Sequence, residues 1–328
     1  MNQPLQLCLR RLLLAIQLTT LTLVSLGLHA QTWPDKAVHL ILTFPPAGVT
    51  DIAARLVAER MNLALKQPIV VDPRGGSGGN VGADLVAKAR PDGYTIGITT
   101  DTLFTINPLI YNKMPFDPAK DLVAIATLAS FAQVLVCHPS VPAKNVQELL
   151  SLAKQRNLTY ASGGVGVPGH LAMELLLFRS GASMTHVPYR GAVPATTDIL
   201  GHQVDCGFLP GPTVLPHVSS GKLVALAVSS AKRTPIAPQV PTVSESGFNG
   251  FDASFKLILF APANTPPAIL ELLTQEAQAA VSNPEVAAKL RSNDLLPIGV
   301  GAEATRKLLL EDAQTWTPVV RKIDLKAE

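Results

Sequence analysis

The sequence predicts an α/β protein of two sheets, each wound on both faces by helices, with a ligand cleft between them. Three observations carry this. Short apolar strands alternate with amphipathic helices, the pattern of largely parallel sheets covered on both sides. Roughly nine strands are expected, more than one compact domain of this type usually holds, so two sheets explain them better. Two glycine-bearing turns, Phe44-Pro45-Pro46-Ala47-Gly48-Val49-Thr50-Asp51 and Ser162-Gly163-Gly164-Val165-Gly166-Val167-Pro168-Gly169, each lead a strand into a helix. Such turns lie beyond the carboxyl ends of strands, where open α/β sheets hold ligands.

Before the first strand, Arg10-Arg11 precede an apolar run from Leu12 to Leu28 and the small residue Ala30. That is the layout of a secretory signal over 1–30, cut after Ala30. The run is at the lower length limit for the rival reading, an uncleaved anchor. Cys8 precedes the run, the wrong order for a lipid-modified cysteine at the cut. A soluble exported protein is therefore expected.

Strands are predicted over 38–43, 68–71, 95–99, 122–128, 134–138, 158–161, 185–188, 204–208 and 223–228. Helices are predicted over 51–65, 80–89, 146–155, 170–179, 192–200 and 267–282. Asn283-Pro284-Glu285 then breaks the chain, and two further helices follow over 286–292 and 303–322. Proline-rich stretches at 115–118 and 235–241 mark transitions. The predicted domains are 31–131 together with 251–328, and 132–250 between them.

The first turn is an anion site if its helix amides stay free, because those amides have no intrahelical acceptor and carry about half a positive charge. The alternative is that Thr50 or Asp51 caps the helix. In the second turn, Gly164-Val165-Gly166-Val167-Pro168-Gly169 matches G-x-G-x-x-G. A dinucleotide site also needs an acidic residue about 20 residues on, and the window around Ser183-Met184-Thr185-His186 has none. No cofactor is expected. A third loop, Gly75-Gly76-Ser77-Gly78-Gly79, fits G-x-S-x-G and keeps open an exported serine hydrolase using Ser77, although Asp72-Pro73-Arg74 separates the strand from the serine.

Past Ala30 the chain carries 25 basic against 24 acidic residues and no basic cluster longer than Lys232-Arg233, which argues against a nucleic-acid partner. The histidines are scattered, with no His-Glu-x-x-His and no Cys-x-x-Cys, so no metal is expected. His170, in the first turn of its helix, either donates to a ligand oxygen or packs in the core. Arg190 either pairs with a carboxylate or stays solvated. Cys137 and Cys206 both fall in buried strand segments and are either paired or inert.

Beyond these readings, the chain resembles the substrate-binding receptors of the tripartite tricarboxylate transporter system, the Bug/TctC-like family. The resemblance rests on Trp33-Pro34-Asp35-Lys36, the first turn, Gly78-Gly79-Asn80-Val81-Gly82-Ala83-Asp84, Ala89-Arg90-Pro91-Asp92-Gly93-Tyr94-Thr95 and Asn107-Pro108-Leu109-Ile110-Tyr111. It continues through His186-Val187-Pro188-Tyr189-Arg190-Gly191-Ala192, Gly201-His202-Gln203-Val204-Asp205, Ser229-Ser230-Ala231-Lys232-Arg233 and Val240-Pro241-Thr242-Val243-Ser244-Glu245-Ser246-Gly247.

It implies a type II periplasmic binding-protein fold and a small carboxylate ligand: a di- or tricarboxylate, an acidic amino acid or an aromatic acid. It also implies a periplasmic location, delivery to a membrane permease, and no enzymatic activity; a monomer is the default for such a receptor. The implied ligand-binding set is Phe44, Pro46, Ala47, Gly48, Val49, Thr50 and Asp51 in the first loop, and Ser162, Gly163, Gly164, Val165 and Gly166 in the second. His170, Thr100, Tyr189, Arg190, Gly191 and Asp205 complete the wall. Two departures stand out. Ala47 replaces a usual second glycine and narrows the allowed backbone angles of the loop. Lys256 replaces a usual tryptophan, and either faces the cleft and binds a distal carboxylate or points outward. An orphan receptor feeding a sensory system remains a further alternative.

Overall fold

The computed structural model describes residues 33–327; the predicted signal and its cut after Ala30 lie outside them. All the described strands and helices belong to the unit that begins at Lys36. Eleven strands are described: β1 (Val38–Leu42), β2 (Ile69–Pro73), β3 (Thr95–Thr100), β4 (Leu122–Phe131), β5 (Gln133–Cys137), β6 (Thr159–Ser162), β7 (Thr185–Pro188), β8 (Cys206–Pro210), β9 (Val224–Val228), β10 (Phe255–Pro262) and β11 (Leu295–Gly301). They form a six-stranded sheet in the order β2-β1-β3-β10-β4-β11 and a five-stranded sheet in the order β7-β6-β8-β5-β9.

The two sheets repeat one template. In each, a strand pairs in parallel with its successor on one side and with the third strand on the other. An antiparallel strand is then inserted: β10 between β3 and β4, β5 between β8 and β9. Each insert lies at a crossover. Only Ala132 separates β4 from β5, and the chain returns through 229–254 to β10. Ser229 stitches the two crossovers together: its Oγ accepts the Gln133 amide at 2.9 Å and donates to the Ala253 carbonyl at 2.7 Å.

The sheets are therefore mixed where the sequence predicts largely parallel ones, and two strands, the helix Gly211–Ser219 and three four-residue helices (Thr102–Thr105, Asn107–Ile110 and Pro118–Asp121) are additional. Apart from Lys256 the strand β10 is a continuous apolar run, which period-two alternation does not reveal. The strand β11 carries Pro297 and two glycines, tolerated because it is an edge. The helix Gly211–Ser219 is hidden by Pro212 and Pro216.

Burial follows the elements. In helix Val49–Leu65, Ala53, Ala54, Val57, Ala58, Met61 and Leu65 recur every three to four residues and are buried on the sheet, and Lys66 ends the helix in the left-handed region. Cys137 and Cys206 are cross-strand neighbours in β5 and β8, buried and unbridged. A hydrogen bond with Cys137, together with burial, pushes the Cys206 thiol well above its usual range.

Candidate functional site

Chain leaving the carboxyl ends of β1, β3, β6, β7 and β8 encloses one cavity between the sheets, of about 80 Å³, room for several waters or a small organic molecule. Four helices begin at its wall: Val49–Leu65, Pro168–Ser180, Ala192–Leu200 and Gly211–Ser219. None of the four has a side-chain cap. Their first-turn amides, absent at Pro168, Pro194 and Pro212, are thus free of side-chain caps, and four positive dipole ends converge. Thr50, Thr100 and Gln133 are the polar side chains of the lining, and among the described residues no charged side chain reaches it.

The first turn shows how the amides are kept free. Asp51 accepts the Ala47 amide at 2.9 Å and pairs with Arg55 at 2.8 Å. It therefore closes the turn from inside the helix instead of capping it, and Gly48 stands extended at the cap position. The Ile52 amide is the first to bond back, to the Gly48 carbonyl at 3.1 Å. The amides of Val49, Thr50 and Asp51 precede it and have no acceptor within the helix.

Ala47 itself sits at φ 65°, in the left-handed region, as a strained alanine. Ala47→Gly should therefore raise stability, by up to about 1 kcal/mol once the entropy of a freer unfolded chain is subtracted. Urea unfolding of the two proteins measures this; a less stable glycine variant would refute the strain.

The second turn is held from beneath by histidines. The Gly166 amide donates to His170 Nδ1 at 3.0 Å, and the His170 ring stacks on that of His186 at 3.8 Å. His186 Nε2 lies 2.7 Å from Ser162 Oγ, which donates to the Gly164 carbonyl. Tyr160 stacks on His186 and donates to Glu174, which lies 3.8 Å from His170 Nε2. His170 thus supports the loop as a buried acceptor and is turned away from a ligand.

Burial, and then the neighbouring His186, lowers the His170 pKa to about 3; burial lowers that of His186 to about 4. Both values lie below the ordinary histidine value, so the neutral rings contribute stability that is complete above about pH 6.5 and lost as pH falls toward 4 and 3. Thermal midpoints between pH 7 and 4 should fall for the native chain and fall less for His170→Gln, which keeps an acceptor but cannot titrate. Equal slopes would refute the assignment.

The rims of the two sheets touch. Tyr111 Oη donates to the Val165 carbonyl at 3.4 Å. Gly191, with φ 111°, lies so close to Pro45 that an added Cβ would stand 2.9 Å from Pro45 Cγ. This contact divides the cavity from an outer groove lined by Ser77, Gly78, Gly164, Val165, Tyr189 and Arg190.

With that geometry in view, comparison with known proteins is decisive. The family model for the tripartite tricarboxylate transporter family receptor, TctC, matches residues 53–325. The chain belongs to that family. Protein BugT of Bordetella pertussis is 32% identical over 92% of this chain and 94% of its own length. The solved structure of the periplasmic binding protein BugD is 28% identical, with a TM-score of 0.85 over 90% of this chain and all of that one. An R. palustris protein solved with adipate is 32% identical, with a TM-score of 0.86 over 90% of this chain and 99% of that one. The fold is accordingly the type II periplasmic binding-protein fold, and the chain is a solute receptor, not an enzyme.

Of the residues the sequence pointed to, the receptor brings Phe44, Pro46, Gly48, Val49, Thr50, Thr100, Gly163 and Gly191 to the cavity wall. Ala47, Asp51, Ser162, Gly166 and His170 shape the two turns behind it. Gly164, Val165, Tyr189 and Arg190 line the outer groove; Tyr189 donates to Asp198 at 2.6 Å, and its pKa is raised to about 12 by burial and then by that bond.

Two residues lie elsewhere. Asp205 precedes β8, whereas the cavity meets the far end of that strand, about 16 Å on; its carboxylate accepts the Thr159 amide and hydroxyl at 2.8 and 2.9 Å. Lys256 points away from the cavity and binds both Asp312 carboxylate oxygens, at 2.6 and 2.8 Å.

Ala192, next to Gly191 in the segment the resemblance assigns to the wall, lines the cavity as well; Phe131, Gln133, Val193, Pro194, Phe208, Leu209 and Pro210 also line it, and sequence reasoning missed them. A signal existed: 185–188 and 204–208 each run through a glycine toward a helix, as the first two turns do. Ser77 sits at φ 48° in a short turn on the outer groove, and no histidine lines that groove among the described residues.

Proposed function

We propose that this receptor works outside the cytoplasm, holds a small carboxylate between two lobes, and delivers it to the membrane permease of a tripartite tricarboxylate transporter. The observation that carries the reading is the convergence of four uncapped helix N-termini on one cavity. A carboxylate desolvated there meets backbone amides and dipole ends without needing a cation. The R. palustris relative solved with adipate supports the same ligand chemistry. The Val49–Asp51 amides, the Thr50 hydroxyl and the Gly163 and Gly191 loops are assigned to the grip.

The lobes are assigned as 31–131 with 251–328, and 132–250; each of the two sheets falls within one of these sets. Closure about the two crossovers would then expel water from the cavity and present a matched surface to the permease. A periplasmic location and a monomeric state complete the assignment. Both agree with the signal layout at 1–30 and with the default for solute receptors.

The test is thermal unfolding of the mature chain, refolded to strip bound solute, against carboxylates and their amides. A ligand held only by the native state adds RT ln(1 + [L]/Kd), about 2.7 kcal/mol at a hundredfold excess over Kd. Acids should raise the midpoint, and their amides should not. A panel of acids without any shift would overturn the reading.

A further inference from the structure

We infer that Cys137 and Cys206 are a redox site: when the mature chain folds in an oxidising medium, their thiols close into an intrachain disulfide that staples β5 to β8. The two residues are direct partners in the antiparallel register of these strands. The His138 amide donates to the Asp205 carbonyl at 3.0 Å, so the adjacent pair 138 and 205 is the hydrogen-bonded one. Cys137 and Cys206 are then a non-hydrogen-bonded pair, whose side chains leave the same face from Cα atoms about 4.5 Å apart. A disulfide spans Cα separations of about 4.4–6.8 Å, so this register admits one without realigning the strands. Little is lost in exchange: Cys206 Sγ lies 3.7 Å from the Thr159 carbonyl, a weak bond.

Past Ala30 these are the only cysteines, which leaves one connectivity within the chain. The oxidant is another disulfide, of the class an exported chain meets. One protein thiolate attacks a sulfur of that disulfide, forming a mixed disulfide and releasing one thiolate. The second protein thiolate attacks the cysteine sulfur of the mixed disulfide and releases the other. Two protein thiols are oxidised, one oxidant disulfide is reduced to two thiols, and the two protons pass to the released thiolates. Neither cysteine has exposed surface in the folded chain, so the exchange belongs to folding, before the sheet closes over the sulfurs. The loop it closes, from 137 to 206, carries β6, the second turn, β7 and Gly191. Joining its ends restricts the unfolded chain across most of the five-stranded sheet.

The experiment refolds the denatured, reduced mature chain in a buffer of oxidised and reduced glutathione, and in parallel under a strong reductant. Intact mass and thiol labelling in denaturant then count the sulfhydryls. The oxidised sample should have no free thiol, a mass lower by two hydrogens, and an unfolding midpoint higher in urea by about 1 M. Two free thiols, glutathione left on either cysteine, or a cross-linked dimer would overturn the inference. A disulfide that leaves the midpoint unchanged, or lowers it, would overturn the staple. None of these outcomes bears on carboxylate binding, so the receptor reading stands or falls separately.

Discussion

Lys256→Met should cost this receptor about 3–5 kcal/mol of stability and leave ligand affinity unchanged. The Lys256 ammonium contacts both oxygens of Asp312, with side-chain exposures of 15% and 17%, so solvent screens the pair little. Asp101 is the third member. Its Oδ2 accepts the Lys256 amide at 3.0 Å, and burial, followed by the Asp312 charge, pushes its carboxyl well above the usual range. Burial likewise raises Asp312 against the pull of Lys256. Removing the only cation of this cluster leaves two buried carboxyls facing one another.

Urea unfolding and a ligand titration measure the two halves of this prediction. Native-like stability would mean that the two acids share a proton and need no cation. Loss of affinity in a folded variant would return Lys256 to the binding site. Lys256→Met combined with Asp312→Leu should recover much of the loss, because an apolar pair of similar volume replaces a buried ion pair at little cost.

Gly191→Ala should weaken ligand binding tenfold or more. The residue sits at φ 111° and ψ 170°, a region essentially restricted to glycine, where a side chain costs about 1–3 kcal/mol. Its new Cβ would also press on Pro45 across the rim, at 2.9 Å from Cγ. Both effects act where the helix Ala192–Leu200 presents its first amides to the cavity. Since about 1.4 kcal/mol is a factor of ten in Kd, either alone approaches the expected loss. Titration calorimetry reads it directly. Adding Pro45→Ala should restore part of the affinity by relieving the clash; an unchanged Kd in the single variant would show that the bound state does not use this rim contact.

Much of the architecture was legible because it rests on local rules. Strand-to-helix turns, period-two strands and amphipathic helices declare themselves within a few residues, whereas the first turn was legible only as either a free-amide site or a capped helix, which the Asp51 bond to the Ala47 amide decides. The inserted strand β10 was not, because a strand buried on both faces has no alternation to read. Nor was the role of His170. A histidine in a helix's first turn offers the same two nitrogens whether it faces a ligand or supports a loop, and only the Gly166 amide at 3.0 Å decides which.

The resemblance reached further than periodicity but placed Asp205 on the cleft wall, where the structure does not bring it, and left the direction of Lys256 open. A motif carries residue identity along the chain and not the end of the sheet at which a side chain emerges. For Asp205 that end is set by the register of β8, and for Lys256 by the arrival of Asp312 from a helix 56 residues away.

By itself the sequence determined the two-sheet α/β architecture, the family and the place of the two strand-to-helix turns, because each is written in contiguous residues or ordered motifs. The tertiary structure alone decided that four helix N-termini meet at one uncharged cavity, that Pro45 and Gly191 partition it from the outer groove, and which cations lie outside it. Those facts depend on segments far apart in the chain coming within a few ångströms of each other, and distance in space is not encoded by spacing in sequence.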